Sequence, residues 1–272
     1  MFMRFDYNPN DGGITMRKMQ IALLAAVAVL LLTGTALAGD KVTFKDPKGD
    51  DYGPGEYVYP TDAVYGPGSF DITKAEFKDK GDKVQFDVSV ATKLEDPWRM
   101  GSGFSVQMVF IFIDNAPGGY TTTPPGLNVE IDESTAWDVC VVLSPQTMSR
   151  VQQEIDAKGG AMAASILAPT RVKGSRSTIS GTVDKDKLGD GDMSQWKYQV
   201  FMQSNEGFPS GQDLLTRKVN EFEGQHRFGG GTDYDCDPHV MDILGDHAQL
   251  KAYACNDDGS TQKLAVVKLV SP

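Results

Sequence analysis

Val84-Gln-Phe-Asp-Val-Ser-Val-Ala91 decides the fold of this chain, together with the next apolar run, Phe104-Ser-Val-Gln-Met-Val-Phe-Ile-Phe-Ile113. In the first stretch Val84, Phe86, Val88 and Val90 alternate with Gln85, Asp87 and Ser89. That is the period of two of a strand with one face buried. The second begins with the same alternation and then turns continuously apolar, as a strand covered on both faces does. The second therefore reads as a central strand of a sandwich. Leu127–Ile131, Ala136–Leu143, Thr178–Val183, Trp196–Met202 and Leu264–Val270 also read as strands. Turn clusters at Asp79–Asp82, Asn115–Gly119, Thr123–Gly126 and Gly189–Asp192 separate them. Trp137 and Trp196 fall inside strands and are expected in the core. The chain is therefore predicted to be all-β.

One short helix decorates the sandwich, over about residues 145–158. Ser144 is placed to cap it, Pro145 suits its first turn, and Gly159 ends it. Met148, Val151 and Ile155 share a face. Asn205–Pro238 is aperiodic and rich in Gly, Asp and aromatics, too long for an inert connection.

Asp46-Pro-Lys-Gly-Asp-Asp-Tyr-Gly-Pro-Gly-Glu-Tyr-Val-Tyr-Pro-Thr61 is the most distinctive turn. Its prolines and glycines forbid a helix or a central strand. It gathers Asp46, Asp50 and Asp51, hard oxygen donors that suit calcium, with backbone carbonyls near Gly49 and Gly53 to complete a shell. The same acids serve equally as a solvated turn that satisfies local backbone donors. Asp233, Asp235 and Asp237 form a second acidic loop that can join this site or make its own. Asp184–Asp192 lacks the offsets of a calcium loop and reads as a turn.

Tyr57, Tyr59, Trp98, Tyr120, Phe208, Phe228 and Tyr234 lie in or beside loops. Such rings stack on the C–H faces of sugars, or pack together to pin long loops. Glu221–Gly231 adds Glu223, Gln225, His226 and Arg227, planar polar groups matched to sugar hydroxyls. Its three consecutive glycines permit either close approach to a ligand or a tight fold.

Several of these stretches share a resemblance. Asp-Pro-x-Gly-Asp-Asp-x-Gly-Pro-Gly from Asp46 resembles the opening of the C-terminal module of glucodextranase and related amylolytic enzymes. Gly68–Ile72, Pro97-Trp98, Gly103–Ser105, Ile113-Asp114, Ala136–Asp138 and Asp237–Leu244 follow in the same order. The likeness spans about residues 42–270. It implies an immunoglobulin-like, DOMON-like β-sandwich that accompanies a glycosidase or a surface-layer protein. It further implies binding of an α-glucan or a cell-surface polysaccharide, without catalysis. Tyr57, Tyr59, Trp98, Tyr120, Arg227, Phe228 and Tyr234 are then the expected contacts. Some DOMON-like sandwiches instead hold b-type haem between a Met and a His or Lys, for electron transfer. Met100 and His239 are the matching pair here. A structural role in the cell envelope is the third expectation.

Residues 16–38 read as a secretory signal. Arg17 and Lys18 precede the apolar run Ile21–Leu32, and Ala36-Leu37-Ala38 offers a cleavage site. The run is too short for a membrane span. Residues 1–15 are polar and precede Met16, which is the expected start of translation. The secreted chain, 39–272, is expected in the periplasm or outside the cell, as one domain. Its net charge of −11 for the full chain disfavours nucleic acid and anionic lipid as partners. Export favours a disulfide between Cys236 and Cys255, with Cys140 a buried free thiol. Only three histidines occur and no Gly-x-Ser-x-Gly, so an independent enzyme is not expected.

Overall fold

The computed structural model describes residues 41–209, 211–232 and 236–272. The signal segment and the position of Met16 lie outside the described residues. Among the described residues fourteen strands follow one another. They are β1 Lys41–Lys45, β2 Ile72–Asp79, β3 Lys83–Val90, β4 Gln107–Asp114, β5 Val129–Ile131, β6 Val139–Leu143, β7 Ile166–Leu167, β8 Val172–Ser175, β9 Thr178–Asp184, β10 Lys197–Ser204, β11 Asp242–Ile243, β12 Ala254–Cys255, β13 Thr261–Lys263 and β14 Ala265–Val267. Two five-stranded sheets form the sandwich, in the orders β1-β2-β3-β9-β8 and β11-β10-β4-β6-β7. Neighbours are antiparallel except β6 and β7. The all-β sandwich read from the sequence is the fold observed.

The two strand patterns mean what their periods say. Val84, Phe86, Val88 and Val90 of β3 point into the core between the sheets, with Phe77 of β2 and Ile179 and Val183 of β9. From the second sheet Val109, Ile111, Ile113, Val141, Val200 and Met202 meet them. The other face of β4, with Met108, Phe110 and Phe112, is also buried, against Cys140, Val142, Phe201, Trp137 and Leu127. A strand with a core on each side cannot afford polar positions, hence the unbroken apolar run. Polar residues stand only at its ends, Gln107 and Asp114, and Gln107 donates its amide to the Ser69 carbonyl (3.1 Å). In β10 Gln199 does the same work for two loops. It donates to the Leu244 and Lys268 carbonyls and accepts from Leu244 N–H.

The helix α1, Met148–Lys158, lies on the outer face of the second sheet through Val151 and Ile155. It begins later than expected. Thr147, not Ser144, is the cap: its hydroxyl accepts from Arg150 N–H (3.3 Å). Ser144 instead accepts from Gln146 N–H in the turn ahead. Met148 is exposed at the helix start rather than on its buried face. Gly159 does close the helix, its N–H donating to Ile155 C=O (2.7 Å).

Other boundaries also move. Ala136 and Trp137 lie outside β6 because Trp137 pairs with Tyr120 in an isolated bridge. Trp196 precedes β10 and is buried there. Strands β1, β2, β7, β8, β11, β12 and β13 are not among those read from the sequence. β2 hides its period behind a register shift between Ile72 and Lys74, so Ile72, Ala75 and Phe77 face inward at uneven spacing.

The register sorts the loops into two poles. At one pole β1 and β3 end, β2 and β4 begin, and β10 ends, with Ile72 opposite Val90 and Ser204 opposite Gln107. Residues 46–71, 91–106 and 205–241 all emerge there. Lys41 opposite Lys78, and Val270 bridged to Tyr198, mark the other pole. Cys236 and Cys255 form the expected disulfide, and Cys140 is buried and free.

Candidate functional site

The first loop pole feature is the acidic turn. Its backbone follows Gly and Pro as the sequence requires, and Gly53 N–H is held by the Met241 carbonyl (2.8 Å). Three carboxylates are each fixed through one oxygen. Asp46 Oδ1 accepts from Gly245 N–H (2.7 Å), Asp71 Oδ2 from Gly49 N–H (2.7 Å) and Asp242 Oδ2 from Ile72 N–H (2.6 Å). Their second oxygens, and Asp50 Oδ1, are buried without a hydrogen-bond partner. Donor atoms of Asp46, Asp50 and Asp242 lie within 4.8 Å of one another. His247 Nε2 is 3.2 Å from Asp242 Oδ1 but is not aligned to hydrogen-bond with it.

Crowding acids away from water raises their pKa values. Burial above all pushes the Asp46 carboxyl up to about 8, with Asp242 and Asp50 adding to the shift. Burial also drives Asp242 far above the usual carboxylate range, helped by Asp50, Asp71 and Asp51. Burial lowers the pKa of His247, against the opposing pull of Asp50 and Asp46.

Asp51, expected beside Asp46 and Asp50, is turned away. Its Oδ2 accepts from the Tyr59 hydroxyl. Asp242 takes its place in the cluster. Of the second acidic loop, Asp233 and Asp235 lie outside the described residues. Asp237 is engaged elsewhere, accepting from Tyr57 Oη (2.8 Å) and Thr232 Oγ1 (2.6 Å).

The second feature is aromatic. Tyr59 Oη also accepts from Phe70 N–H, and its ring meets Phe228 at 4.9 Å. Phe70 stacks on Tyr65 at 6.0 Å, and Tyr65 touches both Trp98 and His226. This cluster runs without a break into the core between the sheets. It corrects the expected ligand contacts. Tyr57 and Phe228 are fully interior and Tyr59 is half-buried, so these three pin loops. Tyr120 is remote, packed on Trp137 at the outer face of the second sheet with its hydroxyl on the Ala161 carbonyl. Tyr234 lies outside the described residues.

Trp98 remains exposed, at 38 % of its surface. His226 stands perpendicular to it, ring centres 5.4 Å apart. Around them Gln225 Nε2 donates to Asp62 Oδ2 (3.2 Å), and Arg227 reaches Glu206 (3.7 Å). Phe222 on the same loop is also exposed. Arg217, which the sequence did not single out, fixes this ledge. It binds Glu206 through Nε and Nη2, and its Nη1 donates to Tyr65 Oη (2.8 Å) and the His226 carbonyl (2.6 Å). Thr61 and Asp62 N–H donate to the Gly224 and Gln225 carbonyls, so the acidic turn's tail and this loop form one surface. The three glycines serve tight folding: a side chain at Gly230 would strike the Glu56 carbonyl, and one at Gly229 the backbone of Glu223.

The two residues expected to ligate haem have separate surroundings. His239 is buried, its Nδ1 accepting from Val219 N–H (3.3 Å). Met100 sits in a turn where Asp96 accepts from its N–H (2.8 Å). Among the described residues no helix is long and apolar enough to cross a membrane.

The loop pole of the sandwich thus carries a buried acidic cluster and an exposed aromatic ledge. The chain belongs to the family of SLH-like C-terminal binding modules of glucodextranase, whose model matches residues 42–270. No curated protein matches it. Two motif residues quoted for the resemblance, Asp71 and Asp242, line the acidic pocket. That was the available signal for them.

Proposed function

We propose that this protein is an exported, non-catalytic carbohydrate-binding module, and that its sugar-binding surface is the Trp98–His226 ledge. The observation that carries this is one exposed indole with the His226 imidazole perpendicular to it, and Asp62 and Gln225 beside that imidazole. A sugar ring stacks on such an indole, and planar polar groups at its rim meet the hydroxyls. Family membership supports a binding role, and α-glucan or cell-surface polysaccharide is the ligand class it favours. The disulfide supports an oxidising compartment, in keeping with the expected signal segment.

The test is titration of purified protein with soluble α-glucans. Trp98→Ala should weaken binding about tenfold or more. Affinity should barely change between low and moderate salt, because the ligand is neutral. Equal affinity in Trp98→Ala would remove the ledge from the site. Absence of binding to every glycan tried, with a Soret band on adding haem, would replace this function by electron transfer.

A further inference from the structure

We infer that Asp46, Asp50 and Asp242 form a calcium site that closes the acidic turn onto the sandwich. The site is independent of the sugar ledge. Asp242 lies on β11 and has no solvent exposure, yet its Oδ1 has no hydrogen-bond partner. It points at Asp46 and Asp50, whose Oδ2 and Oδ1 are likewise buried and unpartnered. Leaving several buried polar atoms unpaired is costly, and natural interiors seldom do it without a ligand. Among the described residues no Lys or Arg forms an ion pair with any of the three.

The carboxylates are also pre-oriented. Backbone N–H groups of Gly245 and Ile72 hold one oxygen each of Asp46 and Asp242, leaving the second oxygens without a hydrogen-bond partner. A set of carboxylate oxygens is the donor chemistry of a hard divalent ion. Oxygens within 4.8 Å of one another can share a single ion. An all-carboxylate set favours calcium over zinc, whose protein sites are built chiefly on Cys and His. The ion would join two distant segments, the acidic turn that follows β1 and strand β11. Asp51, the third acid of the turn, takes no part because it serves Tyr59.

The experiment uses the whole secreted chain, stripped with a chelator and titrated with CaCl2 in a calorimeter. Thermal melting is followed in parallel. Wild type should bind one calcium and melt at a higher temperature with it. Asp50→Asn removes a donor whose side chain holds no backbone group. It should stay folded and lose at least about tenfold in affinity. Asp242→Asn should lose binding too. Asp51→Asn should bind as wild type. Wild type that neither binds nor is stabilised by calcium overturns the site. So does Asp50→Asn with unchanged affinity. Tighter binding of zinc than of calcium, abolished by His247→Ala, would overturn the choice of ion.

Discussion

Trp98 and Trp137 are the same residue type in opposite situations. Trp137 is fully buried, 5.6 Å from Phe112 and 5.0 Å from Tyr120, with its Nε1–H donating to the Thr122 carbonyl (2.9 Å). Trp137→Ala should lower the unfolding free energy by about 3–5 kcal/mol, from lost packing and the cavity left behind. Trp98→Ala should change it by no more than about 0.5 kcal/mol, as surface substitutions generally do. Urea unfolding of both variants checks this. A large loss in Trp98→Ala would mean that the ledge is a structural prop. Sequence distinguishes these two tryptophans because one sits in an apolar run and the other beside Pro97 and Arg99. It does not distinguish Tyr57, Tyr59 and Phe228 from surface residues. Their neighbours are polar, and the partners that bury them, Phe70, Asp237 and one another, come from distant segments.

At the scale of elements, period reported burial wherever the strand was regular. β3 alternated because one face is wet, and β4 did not because neither is. The readings failed where geometry broke the period, as at the shifted start of β2, or where capping chemistry offered two hydroxyls, Ser144 and Thr147. The outer face of β2 supplies a pH test. Glu76 on this strand lies among Lys78, Lys41 and Lys74 at 2.5, 3.3 and 3.8 Å. The hydrogen bond from Lys78, then that from Lys41, lowers its pKa from 4.5 to about 2. A carboxyl depressed in the folded state stabilises it fully above its unfolded value and loses that contribution as pH falls toward its folded value. The contribution of Glu76 should therefore be intact above pH 4.5 and disappear as pH falls through about 2. Carboxyl NMR titration should place its midpoint well below that of an ordinary Glu. Glu76→Gln should flatten the fall of melting temperature over this window. An ordinary midpoint would show that the lysines do not hold it.

For the molecule as a whole, long-range ties decide how firmly the loop pole is held. The Cys236–Cys255 bridge spans a separation of 19 residues and fastens the end of the long 205–241 loop to the β12–β13 hairpin. Replacing both cysteines by serine should cost about 3 kcal/mol of stability, the loop-closure value for a ring of this size. Denaturant unfolding measures it, and an unchanged midpoint would mean that the loop is already held by its other contacts. The acidic pocket shows why such ties escape a linear reading. Asp46 and Asp242 stand at opposite ends of the chain, and only folding brings them within one ion's reach.

The placement of Lys41 and Val270 at the pole away from the loops also fixes how the domain meets its surroundings. The described chain thus enters and leaves the sandwich at one end, while the acidic cluster and the tryptophan ledge share the other, so both candidate sites can be engaged without contact with the strand ends at Lys41 and Val270.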